Sequence, residues 1–97
     1  MNEKEFMEVV NREFSKCLDV LKEKAATYSS PGKDRLEHLK LSAAVAGISP
    51  AKVAMMFALK HFTTLMRDPC NEESICDLHN YLFLVAALNK EAKNGVG

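Results

Sequence analysis

Residues 48–69 read ISPAKVAMMFALKHFTTLMRDP, a segment that carries a helix start and a helix stop at its two ends. Ser49 is a preferred N-cap residue and Pro50 suits the first helical position, so a helix is predicted to begin there. Pro69 disfavours the helical conformation before it, which gives a helix over about 50–67. Apolar residues lie on almost all sides of this helix, as is typical of a helix that is central or lies in an interface.

Three further helices are predicted on either side of this segment. Asn2 is a good N-cap, and Glu5 three residues later completes a capping box for the first helix. Gly47 suits the left-handed position that ends a second helix, and Asn71 caps the last one. With the central segment, the predicted helices span about 3–28, 34–46, 50–67 and 72–93.

The predicted fold class is all-α, an antiparallel bundle of four helices in a single domain of 97 residues. Its core is expected along stripes with helical spacing. The helices over 50–67 and 72–93 carry more apolar surface than one small bundle buries, so a two-fold dimer or higher oligomer is expected. The stripes on the first and last helices are Phe6, Val9, Val10, Phe14, Cys17, Leu18, Leu21, Ala25 and Tyr28, and Ile75, Leu78, Leu82, Val85 and Ala86.

Composition excludes several classes of protein. Thirteen basic and thirteen acidic residues leave no net charge, which argues against a partner that is a nucleic-acid polymer. The uncharged run at residues 41–51 is too short to cross a membrane. Three cysteines exclude a full disulfide framework, and Cys17 and Cys76 lie in apolar patterns that suit reduced side chains. A reducing cytoplasm is therefore the predicted location.

Polar residues interrupt the two most apolar helices, and these residues form the candidate site. Lys60 and His61 lie between apolar residues of the third helix, and Asp77, Asn80 and Tyr81 share one face of the fourth. If the two helices pack together, Lys60 is expected to meet Asp77, and His61 to meet Asn80 or Tyr81. One interpretation is a structural ion pair with hydrogen bonds that fix the helix register.

The other interpretation is a cleft for a phosphorylated ligand that carries a base. Lys60 would bind phosphate, Asn80 or Asp77 would bind a base edge or hydroxyl, and Tyr81 or Tyr28 would stack. Residues 29–67 add a local excess of basic residues, six against two acidic. The connection before the second helix supplies further candidate ligand contacts, Tyr28, Lys33 and Arg35, although it matches no complete phosphate-loop pattern.

A structural zinc site is a weaker alternative. Cys76 and His79 are three residues apart and could reach one ion from a helix, and Cys70 is near in sequence, but no fourth ligand is specified. His38 is interpreted as a helix-surface residue. No metal or other cofactor is predicted, and no serine or cysteine lies on a recognisable nucleophile elbow.

Three segments resemble small phage and prophage proteins that are classed among domains of unknown function or nucleotide-modification-associated domains. They are YSSP at residues 28–31, ISPAKVAMMFALKH at 48–61 and DLHNY at 77–81. That family pattern has a Tyr-Gly/Ser turn, a helix with Val-Ala-x-Met-Met that ends in Lys, and a final Asp-x-x-x-Tyr helix. The resemblance covers about residues 20–90 and implies a phage protein in the cytoplasm of an infected bacterial cell.

Residues 73–82 are also similar to the terminal motif of MazG-like all-helical nucleoside triphosphate pyrophosphohydrolases. Those enzymes hold Mg²⁺ with Glu-x-x-Glu and Glu-x-x-Asp on two adjacent helices. Asp77 matches the final Asp, but Ser74 stands where its partner Glu is expected, and residues 50–67 contain no acidic residue. The resemblance therefore implies a MazG-like fold whose metal-binding motif is incomplete.

The function expected from these patterns is binding of a phosphorylated nucleotide without hydrolysis. A cyclic or signalling nucleotide, sequestered against host defence, is the ligand class that the phage resemblance suggests. Two other functions remain open at this point: a metal-dependent pyrophosphohydrolase with atypical ligands, and a protein-interaction module that uses the third helix.

Overall fold

The computed structural model describes residues 1–28 and 32–94, without the side chains of Ala26 and Tyr28. Within these ranges the chain forms four α-helices, as the sequence predicts. They are α1 (Glu3–Tyr28), α2 (Glu37–Ala46), α3 (Pro50–Arg67) and α4 (Glu72–Lys93).

The predicted helix ends are confirmed at four positions. The Asn2 side chain accepts a hydrogen bond from the Glu5 backbone N–H at 2.8 Å. The Ser49 and Asn71 side chains likewise accept from the N–H groups three residues on, at 3.3 and 2.9 Å. Gly47 closes α2 with φ of 73°, a left-handed conformation that costs glycine little. At these four positions the helix begins or ends where it is predicted to, because the capping residue interacts with backbone groups within one turn of the same helix.

The second helix differs from its prediction. It begins at Glu37 rather than near Asp34, because Asp34 holds a separate turn. The Asp34 carboxylate accepts from the Leu36 N–H at 3.0 Å, and its carbonyl accepts from the Glu37 N–H at 3.1 Å. The axes of α2 and α3 differ by 97°, so the prediction of an antiparallel arrangement is wrong for this pair.

The other helices form a layer with α4 in the middle. His61 and Phe57 of α3 approach Tyr81, while Val53, nearer the start of α3, packs with Leu88. Positions along α3 and α4 therefore run in opposite directions, as predicted. The main core lies where α2 covers these two helices and consists of Leu36, Leu39, Ala43, Val53, Ala54 and Leu88, with Ile48, Leu84 and Val85 packed against it.

Helix α1 crosses α4 obliquely. Near its C-terminal end, Lys24 reaches Asp77, which lies on the side of α4 that α2 covers. Further towards the N-terminus, Phe14 contacts His79 and Phe83 of α4 edge-to-face, with ring centroids 5.9 and 6.0 Å apart. The N-terminal half of α1 therefore continues on the opposite side of the layer.

A disulfide bond joins α1 to α4, which corrects the expectation of reduced cysteines. Cys17 and Cys76 are both buried, and their Cα atoms are 4.8 Å apart. The apolar pattern correctly predicts that both are buried. It does not show which residue each one faces, and here the helix crossing brings them into bonding distance. Cys70 is a free, exposed thiol.

Much of the predicted core stripe of α1, and part of that of α4, is exposed. The layer is covered by α2 on one side, and its other side is open. We call this surface the open apolar face. It comprises Phe6, Val10 and Phe14 of α1, Met55, Leu59, Phe62 and Met66 of α3, and Ile75, Leu82, Phe83 and Ala86 of α4, with His79 among them.

No single helix within the described ranges is long and apolar enough to span a membrane. The bent pair of α2 and α3 meets the length and composition criteria together, but with the 97° angle between its halves.

Candidate functional site

The polar side of the layer contains two adjoining hollows beneath α2. The larger, which we call the outer hollow, has a volume of about 420 Å³, and the inner hollow has a volume of about 20 Å³. The outer hollow is lined by His38 and Ser42 of α2, Phe57, Lys60 and His61 of α3, and Tyr81 of α4. The inner hollow is lined by Leu21, Lys24, Arg35, His38, Asp77, Asn80, Tyr81 and Leu84.

Aromatic rings form one wall of the outer hollow. His61 stacks on Tyr81, with ring centroids 5.6 Å apart and planes 22° apart, so the predicted contact of His61 with Tyr81 is confirmed. Phe57 approaches Tyr81 at 5.9 Å with a tilt of 47°. Phe57, Lys60 and His61 are spaced three and four residues apart, which places them on one side of α3. A flat aromatic surface of this kind can stack against a planar ligand.

Lys60 is exposed at the edge of this hollow and does not pair with Asp77, contrary to the prediction. Within residues 1–28 and 32–94 its side chain makes no ion pair. Its helical position turns it outwards, one residue before the inward-facing His61. The ammonium group is therefore available to an anion that enters the outer hollow.

Asp77 instead pairs with Lys24 of α1. The Lys24 Nζ lies 2.6 Å from Oδ1 of Asp77, and His61 Nδ1 lies 3.7 Å from Oδ2. Asp77 is only 4% exposed, so this pairing offsets the cost of burying its charge. The contacts of Asp77 thus favour its interpretation as part of a structural ion pair. The cation of this pair is Lys24 instead of the predicted Lys60.

Asn80 is buried beneath the outer hollow and does not line it. Its Nδ2 donates to the Cys17 carbonyl at 2.9 Å, which ties α4 to α1. Its Oδ1 is buried, and no group in the described part of the chain donates to it. The inner hollow beside it has room for little more than one water molecule. Asn80 therefore does not line the larger cavity, where the sequence interpretation required it to bind a base edge.

Arg35 and His38 bring further basic groups to the two hollows. Both are half-buried, and His38 lines both hollows, so its interpretation as a helix-surface residue is wrong. Burial lowers the pKa of His38 below its ordinary 6.5, and the nearby Arg35 guanidinium lowers it further. His38 is therefore mainly neutral at pH 7, and Arg35 is the cation next to it.

Two of the lining residues that sequence reasoning missed carry a titratable basic group, Lys24 and His38. Lys24 is seven residues from Cys17 and three from Leu21, so it falls on the apolar stripe of α1, where a lysine is unusual. That position was a usable signal, because a charge on a buried stripe calls for a partner. His38 shows no comparable signal, since it lies four residues before the polar Ser42 on the same side of α2.

The predicted contribution of the loop before α2 is only partly visible. The Tyr28 side chain and residues 29–31 lie outside the described part of the structure. Lys33 is exposed, in contrast to Arg35 two residues later. Of the two described residues, Lys33 and Arg35, only Arg35 is found at the hollows.

The residues proposed for a metal do not come together. Cys76 is occupied in the disulfide, and His79 lies on the open apolar face. Among the described residues no three His, Cys, Asp or Glu side chains converge on one point. Asp77 is likewise the one carboxylate among the residues named above as lining the two hollows. This donor set does not fit the several carboxylates that a MazG-type Mg²⁺ centre needs.

Another hollow, of about 300 Å³, lies at the start of α3 and is a poorer candidate. Its basic residue, Lys40, is already paired with Asp34 at 2.6 Å and with Glu91. Lys40 therefore serves mainly to tie α2 to α4. The outer hollow, by contrast, combines a cation that makes no such pair with a stacked aromatic wall.

No family model, curated protein or solved structure matches this chain. The resemblances to phage proteins and to MazG-like enzymes therefore remain predictions, and the function is argued from the geometry of the site alone.

Proposed function

We propose that this protein binds a small phosphorylated nucleotide in the outer hollow and does not hydrolyse it. The observation that carries the proposal is the combination of Lys60, which makes no ion pair within the described residues, with the stacked His61–Tyr81 rings in one cavity. An ammonium group suits a phosphate, and an aromatic wall suits a base. The volume of about 420 Å³ is within the usual range for small-molecule sites.

Charge around the hollows also supports an anionic ligand. Lys24 and Asp77 offset each other, which leaves Arg35 and Lys60 as the remaining full charges among the residues named as lining the hollows. His38 can accept a proton when a phosphate approaches, because an anion favours the charged imidazole. The site is therefore expected to become more positive as the ligand binds.

The absence of hydrolysis in this proposal follows from the carboxylates. Metal-assisted hydrolysis of a nucleoside triphosphate requires acidic side chains that face the phosphates. Asp77 is buried and bound to Lys24, and Ser74 stands in the position of its expected acidic partner. In the setting that the phage resemblance implies, such a protein sequesters a signalling nucleotide.

A thermal-shift and calorimetric screen tests the proposal. The panel contains nucleoside mono-, di- and triphosphates and linear and cyclic dinucleotides. Each is measured with the wild-type protein, two site variants and one control variant. Lys60→Ala and Tyr81→Ala are expected to abolish stabilisation by the ligand, which is about 2.7 kcal/mol at a hundredfold excess over Kd. Lys52→Ala is the matched control, because Lys52 is an exposed lysine of α3 outside the outer hollow.

Two outcomes contradict the proposal. If no nucleotide shifts the melting temperature, or if both site variants bind as tightly as the Lys52→Ala control, the outer hollow is not the site. Release of phosphate or pyrophosphate from a triphosphate in the presence of Mg²⁺ instead supports an atypical hydrolase.

A further inference from the structure

The open apolar face lies directly opposite the outer hollow on both α3 and α4. Successive residues turn by about 100° around a helix axis. On α3 the exposed stripe that includes Leu59 and Phe62 is therefore about half a turn from Phe57 and Lys60, which line the hollow. On α4, Leu82 lies on the opposite side from Asp77. Helix α2 lies on the hollow side, and α1 reaches the open side only in part, where Phe14 contacts His79 and Phe83.

The whole chain exposes more surface than a compact monomer of its mass. The chain exposes 7,026 Å², whereas a folded monomer of 10.8 kDa exposes about 5,500 Å². The excess is about 1,500 Å² per chain. The radius of gyration is 15.1 Å, whereas about 12.5 Å is typical for this length. An obligate homodimer buries at least about 1,000 Å² per protomer, so the excess is what such a dimer requires.

The chemistry of the face suits a copy of the same surface. Its side chains include aromatic rings and methionines, which are enriched in the centres of interfaces. Charged residues on this side of α4 lie towards the ends of the helix, at Glu72, Lys90 and Lys93. A two-fold axis brings identical residues together, and an uncharged centre avoids the repulsion of like charges there.

We infer that the open apolar face is the interface of a symmetric homodimer. A second copy covers the outer side of α3 and α4 and the N-terminal half of α1, and it buries about 1,500 Å² of each protomer. The hollows remain outside this interface, because they lie on the opposite side of the layer. The inference goes beyond the proposed nucleotide site and does not depend on it.

Molar mass in solution tests this interface with one matched pair of substitutions. Leu59 on the open apolar face and Leu41 on α2 are 58% and 61% exposed, so glutamate at either position costs the isolated protomer about the same. The wild type and Leu41→Glu are expected to have twice the 10.8 kDa chain mass by light scattering at 50 μM. Leu59→Glu is expected to have the mass of one chain, because the change buries a charge in the interface.

Circular dichroism shows whether each variant is folded. Leu82→Glu, on the same face of α4, replaces Leu59→Glu if the latter loses its helical signal. A wild type that is monomeric at 50 μM overturns the inference. Flotation with neutral or anionic lipid vesicles would then show whether a membrane covers the face instead of a second copy. A dimer that both Leu59→Glu and Leu82→Glu leave intact overturns it as well, as does a dimer that Leu41→Glu dissociates.

Discussion

The two sides of the layer formed by α3 and α4 differ in both chemistry and cover. On one side, α2 lies across the helices, and polar residues such as Lys60 and Asp77 surround two hollows. On the other side the exposed residues are mostly apolar, and the described helix that reaches them is α1, through Phe14. Both sides belong to the same two helices, so one apolar helix can serve a ligand and a partner at once.

The two sides also differ in the kind of partner that they can bind. The hollow side holds an exposed cation whose charge is not offset by an ion pair with a described residue, and such a cation can bind an anion. The open side exposes hydrocarbon, and this calls for a partner that excludes water. A substitution on one side should therefore change ligand binding without changing molar mass, and a substitution on the other should do the reverse.

The largest effect is expected when the disulfide between Cys17 and Cys76 is removed, because α1 contributes to both sides. The bond closes a loop with a sequence separation of 59, for which chain entropy gives about 4 kcal/mol of stabilisation. Cys76→Ser should lower the free energy of unfolding in urea by about that amount. Cys70→Ser is the control, since Cys70 is free and exposed.

A dithiol reductant should destabilise the wild type and Cys70→Ser alike and leave Cys76→Ser unchanged. If the unfolding midpoint of the wild type is the same with and without reductant, the disulfide does not stabilise the fold.

A smaller loss is expected when the ion pair on the hollow side is broken. Lys24→Met leaves the buried Asp77 carboxylate without the cation at 2.6 Å, and such a change costs about 3–5 kcal/mol in a fully buried pair. Lys24 is 40% exposed, so about 2 kcal/mol is expected in urea unfolding. The molar mass should not change.

The double variant Lys24→Met/Asp77→Asn supplies the control for charge, because it removes the cation and the carboxylate together. It should be more stable than Lys24→Met alone. Equal stability of the two variants would mean that the unpaired charge is not the cause of the loss.

The N-terminal half of α1 offers a sharper test of the open side. Phe6 is 49% exposed, and it lies eight residues before the contact of Phe14 with α4. If α1 belongs to the interface, Phe6→Ser should raise the dimer dissociation constant by about tenfold or more, which corresponds to about 1.4 kcal/mol. Sedimentation velocity over a range of concentrations measures this, and an unchanged constant would limit the interface to α3 and α4.

Local features of this fold were predictable from the sequence, because their causes act over a few residues. Asn2, Ser49 and Asn71 each cap a helix with a side chain that reaches only three residues ahead. The polar interruption by Lys60 and His61 was visible for the same reason. Helical spacing was enough to place both beside a cavity in the structure.

The partners across helices were not predictable in the same way. Spacing shows which residues share a face, but it does not show which face of another helix they meet. Asp77 was therefore matched with Lys60 instead of Lys24, and Cys17 with no partner instead of Cys76. Spacing also cannot distinguish a stripe covered by the same chain from a stripe left open, as for Phe6 on α1.

The smallest expected effect is a pH dependence that belongs to the hollow side alone. Burial, and then Arg35, lowers the pKa of His38 in the folded protein below its ordinary value of 6.5. The unfolded chain therefore binds a proton at His38 at a higher pH than the folded protein does. Stability from this group is complete above pH 6.5 and is lost as the pH falls towards the lowered folded-state pKa.

Melting temperatures between pH 7.5 and 5.0 measure this loss, with two histidine variants that represent the two sides of the layer. His38→Asn should flatten the decline below pH 6.5, because asparagine does not titrate. His79→Asn is the comparison on the open apolar face, since His79 lies outside both hollows and within the surface that a second copy covers in the inferred dimer. Lys60 and His61 also line the outer hollow, but they are present in the wild type and in both variants. The quantity to compare is therefore the difference in melting temperature between each variant and the wild type at each pH. If His38→Asn flattens the decline in melting temperature no more than His79→Asn does, the prediction for His38 is wrong.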